Sequence, residues 1–406
     1  MQRYDRRVVS APKWMETFQC IAGDCPETCC QQWNIDVDPV HAESYTHLGD
    51  PELQEEMAHL LYKFRLRRPG MRDAKLQYRL MLLNCPEERC PILNEKGECR
   101  LQKKYGAGIL CDTCYFHPRN FFQIDEQIFL SACLSCPECA RLALLHREPT
   151  EFSRFESEID PGTEWLETSF ITDPKARILM RNRERVVSMM CLLLQDRSGS
   201  FAKRMAQTLD FLRILTGENL QDPESIRAAA KKAQNSGHSY DILQDNLKLM
   251  DCWTAVFDPV DENAEKASRE ISDITRHIAG GRIGYTQRLA GNYEEGKRLM
   301  DPFLSENEHL IENFMVHCVF SDSFKQFHRC QNELLTPENI LFHESALLQV
   351  WYILLHVRLA YAALSHGTMN EELFLQTVIH ADRTYWHYPD WFARIADRFR
   401  SYTPKN

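Results

Sequence analysis

Apolar residues along this chain follow two rhythms. Up to about Arg147 they come in short alternating runs, and beyond it they return every three or four positions, the spacing of an amphipathic helix. In the first part, Trp33, Ile35 and Val37 predict a brief strand or extended loop. Asp50 followed by Pro51 reads as an N-cap with proline at the first helical position, and predicts a helix reaching about Phe64. Gln77–Leu83 reads as extended, Asn94-Glu-Lys-Gly97 as the turn of a small hairpin, Phe121–Leu130 as a strand, and Cys136–Leu145 as the start of a helix.

Past Arg147, Asp173-Pro174 opens a helix carrying Ile178, Val186, Met190, Leu193 and Leu194 on one face. Further helices are predicted over Phe201–Leu215, Ile226–Gln234, Tyr240–Phe257, Glu262–Ile278 and Leu304–Phe320. Thr336-Pro337 starts a long apolar one through Leu364, and Thr368-x-x-Glu371 is a capping box for the next. The expected fold is therefore mainly α: a cysteine-rich metal-binding domain with little β over residues 1–147, then a helical domain over 148–406.

Charge and hydropathy narrow the class of protein. The net charge of −10 leaves no general basic field for nucleic acid or anionic lipid. The N-terminus mixes Arg3, Asp5, Arg6 and Arg7 with isolated apolar residues, so it does not read as a signal peptide, and a cytoplasmic location is expected. The most apolar window, Ala346–Leu364, is interrupted by Gln349, His356 and Arg358, which argues for a buried or interface helix over a membrane span. Lys175, Arg177, Arg181, Arg183 and Arg185 read as a solvated helix face, and Ala279–Gly284 as a loop without a phosphate-binding arrangement. Trp351-Tyr352 and the aromatic run Tyr385–Phe392 read as core. No zinc-protease, serine-hydrolase or kinase signature occurs.

The candidate chemistry lies in the cysteines. Twelve of the 16 fall between Cys20 and Cys139, as Cys20-x4-Cys25-x3-Cys29-Cys30, Cys85-x4-Cys90-x8-Cys99, Cys111-x2-Cys114 and Cys133-x2-Cys136-x2-Cys139. In a reducing compartment such density points to metal ligation or redox work. Gaps of two to four residues let one turn of backbone offer two sulfurs, and several loops must converge to complete a site. Cys29 and Cys30 cannot easily aim both sulfurs at one iron, so either at least one serves a second site or packs, or the two form a strained vicinal disulfide. Iron–sulfur and zinc are both open as occupants. The Cys-x3-Cys-x2-Cys loop of the usual radical enzymes is absent, and Cys191, Cys252, Cys318 and Cys330 read as small buried hydrophobes.

Four segments, taken in order, carry a resemblance. They are Phe18-x-Cys20-x4-Cys25-x3-Cys29-Cys30-x2-Trp33-x-Ile35; Cys90-Pro-x-Leu93 with Cys99; Cys114-x2-His117-Pro118-Arg119; and Ser135-Cys136-Pro137-Glu138 with Ala140-Arg141. Together the set resembles the flagellin lysine N-methylase family of bacteria, and Ile311-Glu312-Asn313-Phe314 is similar to a weaker helical motif of that family. The resemblance implies a cytoplasmic enzyme that transfers methyl groups from S-adenosylmethionine to lysines of flagellin, with an associated iron–sulfur cluster of 4Fe–4S type. The positions carried over as metal ligands are Cys20, Cys25, Cys29, Cys30, Cys90, Cys99, Cys114 and Cys136. Where the family usually has Tyr before Pro-Arg, this chain has His117. Arg119 and Glu138 stand beside pattern cysteines as anchors, Arg119 for the donor's carboxylate and Glu138 for its ammonium or the substrate lysine, or as ion pairs that stage the loops; no residue is assigned to catalysis. The alternative class is a zinc-stabilised helical adaptor that binds a protein partner without chemistry.

Overall fold

The computed structural model describes residues 4–66, 75–236, 285–325 and 336–383. The helices expected over Tyr240–Phe257 and Glu262–Ile278, the loop at 279–284, the aromatic run at 385–392, and Cys252 and Cys330 lie outside the described residues.

The expectation of little β in the cysteine-rich part is overturned. A five-stranded sheet runs in the order β7-β1-β6-β5-β8, with β1 at Arg6–Pro12, β5 at Arg119–Ile124, β6 at Gln127–Ala132, β7 at Phe152–Glu158 and β8 at Glu164–Leu166. A second sheet, β2-β4-β3, is formed by Ile35–Val37, Lys75–Leu80 and Leu61–Leu66. The larger sheet takes in chain as far as Leu166, past the division expected after Arg147. Its strands escape a local reading because their pairings are distant: β1 lies parallel to β6 and antiparallel to β7. The exposed Arg6 and Arg7 also mask the buried Val9 and Ala11.

Local signals explain the rest. The helix opened by Asp50 stops at Leu60, and the chain turns directly into β3 instead of continuing to Phe64. Phe121–Leu130 is not one strand but the β5–β6 hairpin, turning at Asp125 with φ +47°. Asn94 does close a turn, accepting the amides of Lys96 and Glu98 through its side chain, with Gly97 at φ +75°. The helix after Asp173 breaks at Asn182 into Pro174–Arg181 and Arg183–Leu194. The one expected near Leu304 is two, Tyr285–Glu306 and Glu308–Asp322. The helix Glu371–Ala381 is capped by Asn370, whose side chain accepts from the Leu373 amide; Thr368 is not the cap.

The main core joins the inner face of the hairpin, through Phe122 and Phe129, to the helices beyond it. Pro337–His366 is long and apolar enough to cross a membrane by composition, yet 83% of its most apolar window is buried inside the fold, so it is the central helix of this core. Trp351 and Tyr352 are buried there, as expected. Arg183 departs from the solvated face predicted for it: it is fully buried, donates to the carbonyls of Phe320 and Ser323, and lies 4.3 Å over the Phe129 ring. A guanidinium tolerates such a place because its weakly hydrated plane stacks on an aromatic face while its N–H groups find oxygens.

Candidate metal centre

The topology creates the site. All of residues 13–118 form an excursion between β1 and β5, and this excursion holds the small sheet and nine of the clustered cysteines. The hairpin pairs Arg119 with Ala132, so the end of the excursion and the start of the Cys133–Cys139 segment emerge side by side; the Cys133 amide donates to Pro118 O at 2.8 Å. The Cys90 amide donates to Cys30 O at 2.9 Å, and Gln31 bridges Arg89, which brings the first loop to the second. The bridge Leu93–Cys99 closes the small hairpin beneath them.

Every cysteine among the described residues is a free thiol. Their surroundings divide them into two groups. Cys136 and Cys139 belong to the core cluster built on β1 and the hairpin, whereas Cys85, Cys90, Cys99, Cys111 and Cys114 pack into the cluster of the small sheet. The electrostatic neighbours run across these groups, since Cys30 acts on Cys20 and Cys29 as well. Cys20, Cys25 and Cys29 each act on, or feel, Cys136. Cys90, Cys99 and Cys114 each feel Cys30. Each of the eight cysteines named from the sequence thus has at least one other of them among its electrostatic neighbours.

The thiols of Cys29 and Cys30 hydrogen-bond one another, which raises Cys29 and lowers Cys30 to about 7. Cys139 donates to Cys136 and lowers it to about 7, while burial pushes Cys139 well up. Cys111 is held down by its hydrogen bond with Cys114 and, secondarily, with the Tyr45 hydroxyl, and Cys114 is raised by the same contact. Burial raises Cys20, Cys25 and Cys99, and takes Cys90 to about 12. Few cations stand by: Arg89 acts on Cys30, and Arg119 on Cys20 and Cys139. Thiols raised by burial and by one another stay protonated unless a bound cation offsets the charge of their thiolates.

The donor set therefore fits a thiolate-bound metal, and its spacing bears on which one. Four thiolates on one ion at about 2.3 Å draw their sulfurs to within about 4 Å of each other. Among the described residues, the set of three donor atoms within 4.8 Å of one another is Asp38, His41 and Asp112, not a set of thiols. A polynuclear cluster engages each thiolate through a different iron and sets them farther apart. Asp38, His41 and Asp112 are satisfied by each other. Asp38 caps Pro39–Tyr45 and accepts from the Asp112 amide at 3.1 Å and shares a 2.6 Å bond with His41 Nδ1, while Tyr4 donates to Asp112 at 2.7 Å. They pin the helix Asp112–Phe116, and with it Cys114, to the small domain.

Arg119 is half-buried, with its guanidinium 5.4 Å over the Phe18 ring. Glu138 makes a bidentate pair with Arg141, both bonds 2.8 Å. Sequence reasoning missed Asp382 and Arg383. The buried Asp382 accepts the Ser135 amide at 2.6 Å; Arg383 donates to the Ser135 carbonyl at 3.3 Å and pairs with Glu27 in the Cys25–Cys29 loop. Nothing local marks these two, because their partners lie some 250 and 350 positions upstream. Glu312 and Asn313, flagged only as a motif, turn out to be buried connectors. Glu312 pairs with Arg197 and Arg204, and Asn313 donates to the carbonyls of Leu144 and His146 at the end of Pro137–Leu144.

Comparison with known proteins bears on the same molecule from its other half. Residues 188–403 match the FliB lysine N-methylase C-terminal domain. The chain is 24% identical over 192 residues to lysine-N-methylases of Salmonella typhimurium (strain LT2) and Salmonella choleraesuis (strain SC-B67), matches that cover 47% of this chain and 43% of each relative. It is 27% identical over 130 residues to the flagellar biosynthetic protein FliU of Salmonella muenchen, covering 32% of this chain and 73% of FliU. No solved structure matches. The domain match takes in more than half of the sequence, and the chain belongs to the FliB lysine N-methylase family.

Proposed function

We propose that the chain is an S-adenosylmethionine-dependent protein lysine N-methyltransferase that acts in the cytoplasm on flagellin and carries a cysteine-ligated iron–sulfur cluster of 4Fe–4S type. The observation that carries this reading is the FliB domain match over 188–403, and the gathering of the pattern cysteines supports the cofactor. The names of the relatives, lysine-N-methylase and a flagellar biosynthetic protein, point to the reaction and to the flagellar substrate.

Methyl transfer requires a neutral lysine amine in line with the sulfonium methyl, so the protein must hold both reactants and strip a proton from the ammonium. Partial burial of the incoming lysine lowers its pKa and favours the nucleophilic form. Arg119, raised beside Cys20 on the Phe18 ring, offers two parallel N–H donors to the donor's carboxylate. Glu138 serves the donor's ammonium by exchanging Arg141 for it, an exposed partner whose loss costs little. Cys20, Cys25, Cys29, Cys30, Cys90, Cys99, Cys114 and Cys136 would hold the metal. When bound, an iron–sulfur cluster supplies redox-active or Lewis-acidic iron close to these anchors.

The test is transfer of a labelled methyl group from S-adenosylmethionine to the cognate flagellin by anaerobically purified, reduced protein. Label on lysine is the expected result; its absence under those conditions overturns the enzyme reading. Brown protein containing iron and sulfide is expected, and colourless protein holding zinc alone returns the chain to the adaptor class.

A further inference from the structure

We infer that a cavity between the larger sheet and the helix Arg183–Leu194 is a docking site for one lysine side chain of the protein substrate, separate from the cysteine-rich region. This rests on the lysine-methylase reading above and adds to it a point of substrate attachment.

The cavity has a volume of about 240 Å³. The strand register explains one wall: Ser10 on β1 is paired with both Phe129 on β6 and Arg154 on β7, and Phe152 shares the Arg154 face two residues away. The helix supplies the facing wall, where Glu184, Val187 and Cys191 recur at steps of three and four and so form one stripe. Phe320 joins them, its ring stacked on that of Phe152 with 4.8 Å between centroids. Phe152 is exposed, as is Val8, two residues from Ser10 on the same face of β1.

Size and chemistry select the occupant. Pockets that enclose drug-sized ligands run from roughly 300 to 1,000 Å³, so this cavity is too small for a whole S-adenosylmethionine and suits one long side chain. Aromatic and aliphatic walls receive an alkyl stem, and the one acid, Glu184, requires a cation at its tip. Arg154 now holds that place, donating to both carboxylate oxygens at 2.6 Å. Its side chain is 61% exposed, and an exposed ion pair is worth little, so an entering ammonium can replace it. Ser153 also lines the cavity, and its buried Oγ has no hydrogen-bond partner among the described residues. An ammonium brings three N–H donors, which Glu184 and Ser153 would both accept.

The cavity lies on the other face of the sheet from the donor anchors. Phe129 enters the core shared with the helices, whereas its neighbours Ile128 and Leu130 enter the core that holds Phe18 and Cys136. Arg119 stands opposite Ala132, a member of that second core, with its guanidinium over the Phe18 ring. The lysine held here is therefore a second one of the same substrate, not the one that receives the methyl group.

The experiment measures binding of acetyl-Ala-Lys-Ala-amide to the full chain, without S-adenosylmethionine, by saturation-transfer NMR, with the norleucine peptide as its uncharged counterpart. The lysine peptide is expected to bind several-fold more tightly. Glu184→Gln and Phe152→Ala are each expected to weaken it several-fold, as is Ser153→Ala, which removes an unsatisfied hydroxyl and so leaves the thermal midpoint undiminished. In methyl transfer to flagellin, Glu184→Gln is expected to raise KM several-fold with kcat unchanged. Equal affinity for the two peptides, or affinity for the lysine peptide unmoved by all three substitutions, overturns the docking site. Methyl transfer whose KM ignores Glu184→Gln overturns it too and keeps the enzyme. Binding that responds to the substitutions in a protein that transfers no methyl group keeps the site and overturns the enzyme reading.

Discussion

At the scale of single residues, the helical motif 311–314 shows how one buried acid organises a neighbourhood. Glu312 is fully buried and receives Arg204, itself 1% exposed, together with the half-exposed Arg197. Removing the carboxylate leaves the buried Arg204 with Glu308 and the Leu194 carbonyl alone, so Glu312→Ala is expected to cost about 3 kcal/mol in urea unfolding. Asn313→Ala removes two bonds to carbonyls that end the Pro137–Leu144 helix, and a smaller loss of about 1–3 kcal/mol follows. The sequence singled out both residues yet could not give them a role, because a charged or amide side chain on a helix reads as surface until its partners are known. Arg183 misled for the same reason.

At the scale of elements, contacts between segments distant in sequence decide what the site becomes. A Cβ on Gly296 would lie 2.2 Å from Ala360 O, so the helices Tyr285–Glu306 and Pro337–His366 approach backbone to backbone at that point. Gly296→Ala must push them apart, with an expected loss of about 1–3 kcal/mol seen as a lower thermal midpoint. The Asp382-Arg383 step at the end of Glu371–Ala381 grips Ser135 at both its amide and its carbonyl, and reaches Glu27 as well. Arg383→Met is expected to raise the alkylation rate of Cys25 and Cys136 several-fold with little change in helical circular dichroism, and Arg383→Lys to recover part of the protection. Helices were readable from caps and spacing, as Asp50, Asp173 and Thr336 show, but where a helix breaks was not. The split at Asn182 has no glycine or proline to announce it. The clustered cysteines were legible as a set because close spacing is local information; the clamp that holds their loops was not.

For the whole molecule, the sheet was the least legible part, since β1 finds β6 and β7 only after more than a hundred intervening residues. A global property follows from the acids enclosed by the fold. Burial raises Glu344 to about 8, with its Oε1 accepting the Phe324 amide. A carboxyl whose folded pKa exceeds its unfolded value near about 4.3 binds its proton more tightly when folded. Its contribution is therefore complete below that unfolded value and is lost as pH rises toward about 8. Glu344→Gln is expected to flatten the decline of the thermal midpoint between about pH 5 and pH 8, a difference of more than about 1 kcal/mol across the window. A slope unchanged by the substitution would assign the decline to other groups.

The pairing of Arg119 with Ala132 has a consequence for biogenesis. A chain leaving the ribosome presents Cys25 and Cys29 before the β5–β6 hairpin is made, Cys136 only after it, and Arg383 only after the helices that precede it. The contacts of Arg383 with Ser135 and Glu27 therefore join the cysteine loops only after those helices have been made. A truncated product that lacks the helix Glu371–Ala381 and the two residues after it is left without that grip.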